Sequence, residues 1–168
     1  MAVRLNGLAS EFASEVFRSE LEFVMAAVTQ NGRALRFCTA LQCTGRWPAQ
    51  PCTSEALRQD GHALQYAAKE FRRCSFFVTL AIRQNGTALE FAAKKLRSDR
   101  SLVQVAVWQN GLALQFASEE LRSDLEIVQR AVRQNGLALE FAAEELRSDL
   151  EVVRKAVRQN GLALEFAS

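Results

Sequence analysis

RSDLEIVQRAVRQNGLALEFAA, Arg122 to Ala143, returns 25 residues later as RSDLEVVRKAVRQNGLALEFAS, Arg147 to Ser168. A chain that writes nearly the same phrase twice is built from copies of one structural unit. The doublet Asn-Gly, or the variant Asp60-Gly61, sets the beat through Gly7, Gly32, Gly61, Gly86, Gly111, Gly136 and Gly161, at steps of 25, 29, 25, 25, 25 and 25 residues. Only Gly45 lies outside the series. A fixed period between about 20 and 50 residues is the signature of a repeat array. Each unit of such an array contacts mainly its neighbours and gains stability by stacking on them.

The register extends beyond the glycine. Five residues on stands an aromatic: Phe12, Phe37, Tyr66, Phe91, Phe116, Phe141 or Phe166. Three residues on stands Leu35, Leu64, Leu89, Leu114, Leu139 or Leu164, with Ser10 in the first copy. The aromatics are expected to be architectural, with Phe91, Phe116 and Phe141 forming a continuous interior row.

One unit can be read physically. Leu137 to Arg147 is rich in Ala, Leu and Glu, strong helix formers. Glu140, Glu144 and Arg147 share one face, which predicts a helix buried on most sides with one solvated stripe. Ser148 and Glu151 have capping-box spacing, as do Ser123 with Glu126 and Ser19 with Glu22. A second helix follows, with Val152, Val153, Ala156 and Val157 on its apolar face and Glu151–Lys155 as a pair four apart; Glu126–Arg130 is its counterpart one copy earlier. It stops at Gln159-Asn160-Gly161. Glycine past a helix end can turn left-handed without a Cβ penalty. Asn160 could hold that left-handed position or cap the next helix. Each unit then reads as a hairpin of two helices of about 10 to 12 residues, roughly 15–18 Å each.

A strand-based leucine-rich frame competes with this reading. Leu102, Val105 and Val107 before Asn110 fit it, but Arg130 and Lys155 occupy the Val105 slot in later copies. The expected fold is therefore all-α: an α-solenoid of about six 25-residue helix-turn-helix repeats. One domain over residues 1–168 is expected, with an irregular insertion at about 38–52. The array opens on a fraction of a second helix, Met1 to Leu5. It closes on half a first helix, with Leu162, Leu164 and Phe166 expected to face outward. It reads as a piece of a longer array.

The phrases DLEVVRKAVRQNGLALEFAS, DLEIVQRAVRQNGLALEFAAEELRSD and EFVMAAVTQNGRALRF resemble the repeat family catalogued as domain of unknown function 4116. That family is found mainly in protist, algal and large-virus proteins. Its units look like D-x-E-V-V-x-x-A-V-x-x-N-G-x-A-L-x-[FY]-A-S-x-x-L. The likeness covers nearly the whole chain and is specific from Arg83 onward, while Ala40 to Cys52 departs from it. It implies an all-helical array and carries over no catalytic or binding residue.

Composition narrows the function. The net charge is +2, so no strong field invites nucleic acid or an anionic membrane. No apolar run reaches spanning length and MAVRLNGLASEF lacks a signal-peptide core, so an intracellular, cytoplasmic setting is expected. Cys38, Cys43, Cys52 and Cys74 surround His62, but without the paired spacings of a zinc site, and Cys52 occupies an apolar slot. No metal and no cofactor is expected. The stretch Thr44 to Pro51, which carries the four-residue insertion, Trp47 and both prolines, is read as a longer loop without assigned function, against a recognition loop presenting Trp47. One His, no glycine-rich phosphate loop and no nucleophile-base pair argue against an enzyme.

What remains is a protein-interaction scaffold or structural spacer. Columns that stacking does not fix are the expected contact surface: Met25, Ser54, Thr79, Gln104, Gln129 and Arg154, beside Ala26, Glu55, Leu80, Val105, Arg130 and Lys155. With the neighbouring column they give the candidate partner-binding residues Leu80, Arg83, Val105, Trp108, Arg130, Arg133, Lys155 and Arg158. Leu80, Val105 and Trp108 are the expected apolar heart. The alternative is nucleic-acid binding through the arginine columns, among them Arg18, Arg72, Arg97, Arg122 and Arg147. Glu119, Glu120, Glu144 and Glu145 beside that column would repel phosphate.

Overall fold

A computed structural model describes residues 6–19, 21–37 and 49–168. It has two compact units, Met1–Gln84 and Asn85–Ser168. In the first, 3₁₀ helices η1 (Gly7–Phe12), η2 (Gly32–Phe37) and η3 (Gly61–Tyr66) alternate with long α-helices α2 (Leu21–Gln30), α3 (Ala49–Gln59) and α5 (Ser75–Gln84). Short helices α1 (Glu15–Ser19) and α4 (Lys69–Arg72) lie between them. The second unit keeps the same order: η4 (Gly86–Phe91), α6 (Lys94–Arg97), α7 (Arg100–Gln109), η5 (Gly111–Phe116), α8 (Glu119–Arg122), α9 (Leu125–Gln134), η6 (Gly136–Phe141), α10 (Glu144–Arg147), α11 (Leu150–Gln159) and η7 (Gly161–Phe166). Among the described residues there is no strand, so Leu102, Val105 and Val107 belong to a helix. The protein is an all-α repeat, and each unit is a stack of the solenoid type.

The expected first helix is not continuous. The stretch Gly136 to Arg147 divides into a six-residue 3₁₀ helix and a four-residue α-helix, separated by extended Ala142 (φ −72°, ψ 156°) and Ala143 (φ −61°, ψ 153°). The break recurs at Ala92 and Ala93 two copies earlier, and in the later copies the freed amide bonds to the preceding copy. Ala143 N–H donates to the Arg122 carbonyl of the preceding copy at 3.0 Å, instead of continuing the local ladder. Ser118 N–H donates likewise to Arg97 O at 3.0 Å, and Ser168 N–H to Arg147 O at 3.1 Å.

The start of the unit is set by Asn, which has extended backbone: Asn135 at φ −146°, ψ 114°. Its side chain accepts from Leu137 N–H at 3.0 Å and its carbonyl accepts from Ala138 N–H at 3.0 Å, which begins a 3₁₀ turn. Asn160 does the same for Leu162, so the cap is the role it takes. The glycine needs no left-handed turn. A Cβ on Gly32 would stand 2.6 Å from the Ala56 carbonyl oxygen, and on Gly111 or Gly136 closer still to those of Ala131 and Ala156. Glycine recurs because the next long helix lies directly against it.

In the second unit α7, α9 and α11 form one layer and the 3₁₀ helices form the other, each long helix packing on the 3₁₀ helix before and after it. Leu102, Val103, Ala106 and Val107 of α7 and Ile127, Val128, Ala131 and Val132 of α9 meet Ala113, Leu114, Ala138 and Leu139 in the core. Each buried leucine contributes about 1.5–3 kcal/mol. The first unit is built alike, around Val24, Val28, Leu35, Leu57, Leu64, Val78 and Ile82. The aromatic row sits further out than expected. Phe91, Phe116 and Phe141 are half-buried and Phe12 is 88% exposed, because Leu89, Leu114 and Leu139 take the fully buried place.

Candidate partner-binding groove

Along α7 the core residues Leu102, Val103, Ala106 and Val107 occupy one side. At 100° per residue, Gln104, Val105 and Trp108 fall on the opposite side. Gln104 and Val105 are half-buried there, and Trp108 is 69% exposed. One copy later the same slots hold Gln129, Arg130 and Arg133. Trp108, Arg130 and Arg133 line one groove of about 550 Å³, together with Glu126, Gln129 and Gln134.

The charges of the groove do not cancel locally. Glu126, expected beside Arg130, bonds to Arg100 Nη2 at 2.7 Å instead, and the same guanidinium holds Asp124. Arg130 and Arg133, both exposed, form no ion pair among the described residues. Lys155, on α11, pairs with Glu151 at 3.3 Å as its spacing predicts, and Arg158 is exposed nearby in sequence. Leu80, half-buried, and exposed Arg83 belong to the first unit on α5. Of the eight candidates, three therefore share one groove.

The floor of this surface depends on a residue whose part the sequence reading did not assign. Gln134 Oε1 accepts from Gly111 N–H at 2.5 Å while its Nε2 donates to Gln109 O at 3.4 Å. Gln159 repeats both bonds one copy later, with Gly136 and with Gln134 O. The signal was present: glutamine stands two places before every one of these glycines after the first, at Gln30, Gln59, Gln84, Gln109, Gln134 and Gln159.

The helix caps also differ from expectation. Asp124 and Asp149 accept from Ile127 and Val152 N–H at 3.1 and 3.0 Å, whereas Ser123 and Ser148 donate backward to Glu119 and Glu144 carbonyls. The serine lies one residue too early, because the short helix before it is still ending there. Ser19 lies at a position whose side chain is outside the described residues, as are Cys38, Cys43 and Trp47. Cys52 is buried, and Cys74 and His62 are half-buried. Among the described residues no group of three His, Cys, Asp or Glu side chains could hold a metal ion. No helix among them is long and apolar enough to cross a membrane.

Compared with known proteins, the chain matches the family described as Domain of unknown function (DUF4116) five times, at residues 1–41, 54–97, 74–122, 99–147 and 124–168. The chain belongs to that family. Successive DUF4116 matches from residue 74 onward begin 25 residues apart, the same step that separates the groove's Trp108 from Arg133. No curated protein and no solved structure matches the chain.

Proposed function

We propose that the chain is a non-enzymatic interaction scaffold. Its second unit would receive an acidic protein segment carrying an apolar anchor, across the groove between α7 and α9. One observation carries the reading: a 69% exposed tryptophan beside two arginines that have no ion-pair partner among the described residues. Exposed aromatic and arginine side chains are the residue types most often responsible for binding energy at protein interfaces. The remaining repeat positions support the same reading, since glycine, glutamine, leucine and alanine are occupied by stacking.

The test compares pull-downs by the wild-type chain and by Trp108→Ala and Arg133→Glu, with helical content checked by circular dichroism. A shared set of partners should bind the wild type and lose at least about tenfold in affinity to each variant. Partners retained equally by both folded variants would reject the groove. Binding whose logarithmic salt slope matches several displaced phosphates, and which survives Trp108→Ala, would favour nucleic acid instead.

A further inference from the structure

The hexapeptide Gln-Asn-Gly-Leu-Ala-Leu occurs three times in the second unit, at residues 109–114, 134–139 and 159–164. Its asparagine keeps one backbone conformation throughout, with φ −149°, −146° and −149° and ψ 114°, 114° and 116°. Its Oδ1 accepts each time at 3.0 Å from the amide two residues on, that of Leu112, Leu137 or Leu162. Local sequence and local geometry leave the three alike. The glycine amide separates them. Gly111 N–H donates to Gln134 Oε1 and Gly136 N–H to Gln159 Oε1, each at 2.5 Å, and both glycines are buried. Gly161 is exposed, its N–H has no acceptor among the described residues, and nothing stands within 4 Å of a Cβ built on it.

An asparagine followed by glycine carries its own nucleophile. The main-chain nitrogen of the glycine can close on the side-chain carbonyl carbon, and glycine has no Cβ to obstruct that approach. A buried nitrogen whose proton is held by an acceptor reacts only when the local structure opens. At Gly161 there is no such bond to break. The bond from Leu162 N–H falls on the Asn160 oxygen that becomes negative as the nitrogen adds, where a fixed donor stabilises the charge.

We propose that the glutamine of the following copy protects Asn110 and Asn135, and that Asn160-Gly161, without that cover, is a spontaneous modification site converted to aspartyl and isoaspartyl forms through a cyclic imide. The Gly161 nitrogen forms a bond to Asn160 Cγ and gives up its proton. The bond from Cγ to Nδ2 breaks, and Nδ2 leaves with that proton as ammonia. Water then adds to either carbonyl of the ring and opens it, with no electron transferred. Opening at Cγ gives aspartate, which the slot accommodates: Asp60 fills it in an earlier copy and accepts from His62 N–H at 2.9 Å. Opening at the main-chain carbonyl gives isoaspartate, which lengthens the chain by one carbon ahead of η7. The site is separate from the protein-binding groove and does not depend on it.

The experiment incubates the full chain at mildly alkaline pH, folded and in parallel in guanidinium chloride, and follows it by tryptic peptide mapping with mass spectrometry. Cleavage after Arg100, Arg133 and Arg158 puts the three asparagines on separate peptides. Unfolded, the three should react at one rate, because their hexapeptides are identical. Folded, Asn160 should react at least about tenfold faster than Asn110 and Asn135, which wait on local opening. Gln134→Leu removes the acceptor over Gly111 and places there the residue type that Leu5 supplies two positions before Gly7. In that variant, with folding checked by circular dichroism, Asn110 should speed up at least about threefold. Equal rates at the three sites of the folded chain overturn the proposal. So does an Asn110 that stays as slow in the folded variant as in the wild type, since the glutamine would then not be what protects it.

Discussion

The glycines show how one residue type can be demanded by contact at one place and not at another. Gly111 lies against the Ala131 carbonyl of the next copy, whereas nothing stands within 4 Å of a Cβ built on Gly161. The two share sequence context, LALQF against LALEF, and the same Asn cap. Their substitutions should therefore separate contact from conformation. Gly111→Ala must push the backbone of a packed helix and should cost about 2–3 kcal/mol, the upper range for overpacking. Gly161→Ala should be neutral, or stabilising by about 0.5 kcal/mol through lower entropy of the unfolded chain. Urea midpoints of the two variants decide it. Equal losses would mean that the turn itself, and not the neighbouring carbonyl, demands glycine.

At the scale of the element, the period, the helical class and the long helix were legible because they rest on recurring apolar residues and on propensity, which sequence displays directly. The broken first helix was not. The break recurs at Ala92 and Ala93, and at Ala143 the freed N–H donates to Arg122 O, a bond between copies for which neither side chain gives a sign. The caps were misplaced for a related reason. Ser148 and Asp149 are both good cap residues, and only the end of α10 at Arg147 decides that the aspartate faces the free amides. The groove was legible in part: variation between copies pointed to Trp108, Arg130 and Arg133, but nothing in the sequence showed that Glu126 turns to Arg100. A pair of variants checks the cap. Asp149→Ala should cost about 1 kcal/mol through the lost bond to Val152 N–H. Ser148→Ala, which removes an exposed bond to Glu144 O, should stay within about 0.5 kcal/mol. A larger loss at the serine, read from chemical denaturation, would restore the capping box.

At the scale of the whole molecule the question is how far a local defect spreads. In the second unit η5 packs on η4, η6, α7 and α9, and the layers are continued by the same kinds of contact from copy to copy. Stability in such a stack is a sum of unit terms and nearest-neighbour terms, so damage should fade with distance along it. Leu114 is fully buried in η5 and offers a clean probe. Leu114→Ala should cost about 2–5 kcal/mol, transfer and cavity terms together. Amide hydrogen exchange followed by mass spectrometry should show the loss of protection concentrated in α7, η5 and α9, with α11 changed less. The expected gradient follows from α11 resting on η6 and η7, neither of which contains the altered side chain. Equal loss through residues 85–168 would show one cooperative block, and with it a core held by coupling longer in reach than contact between adjacent copies.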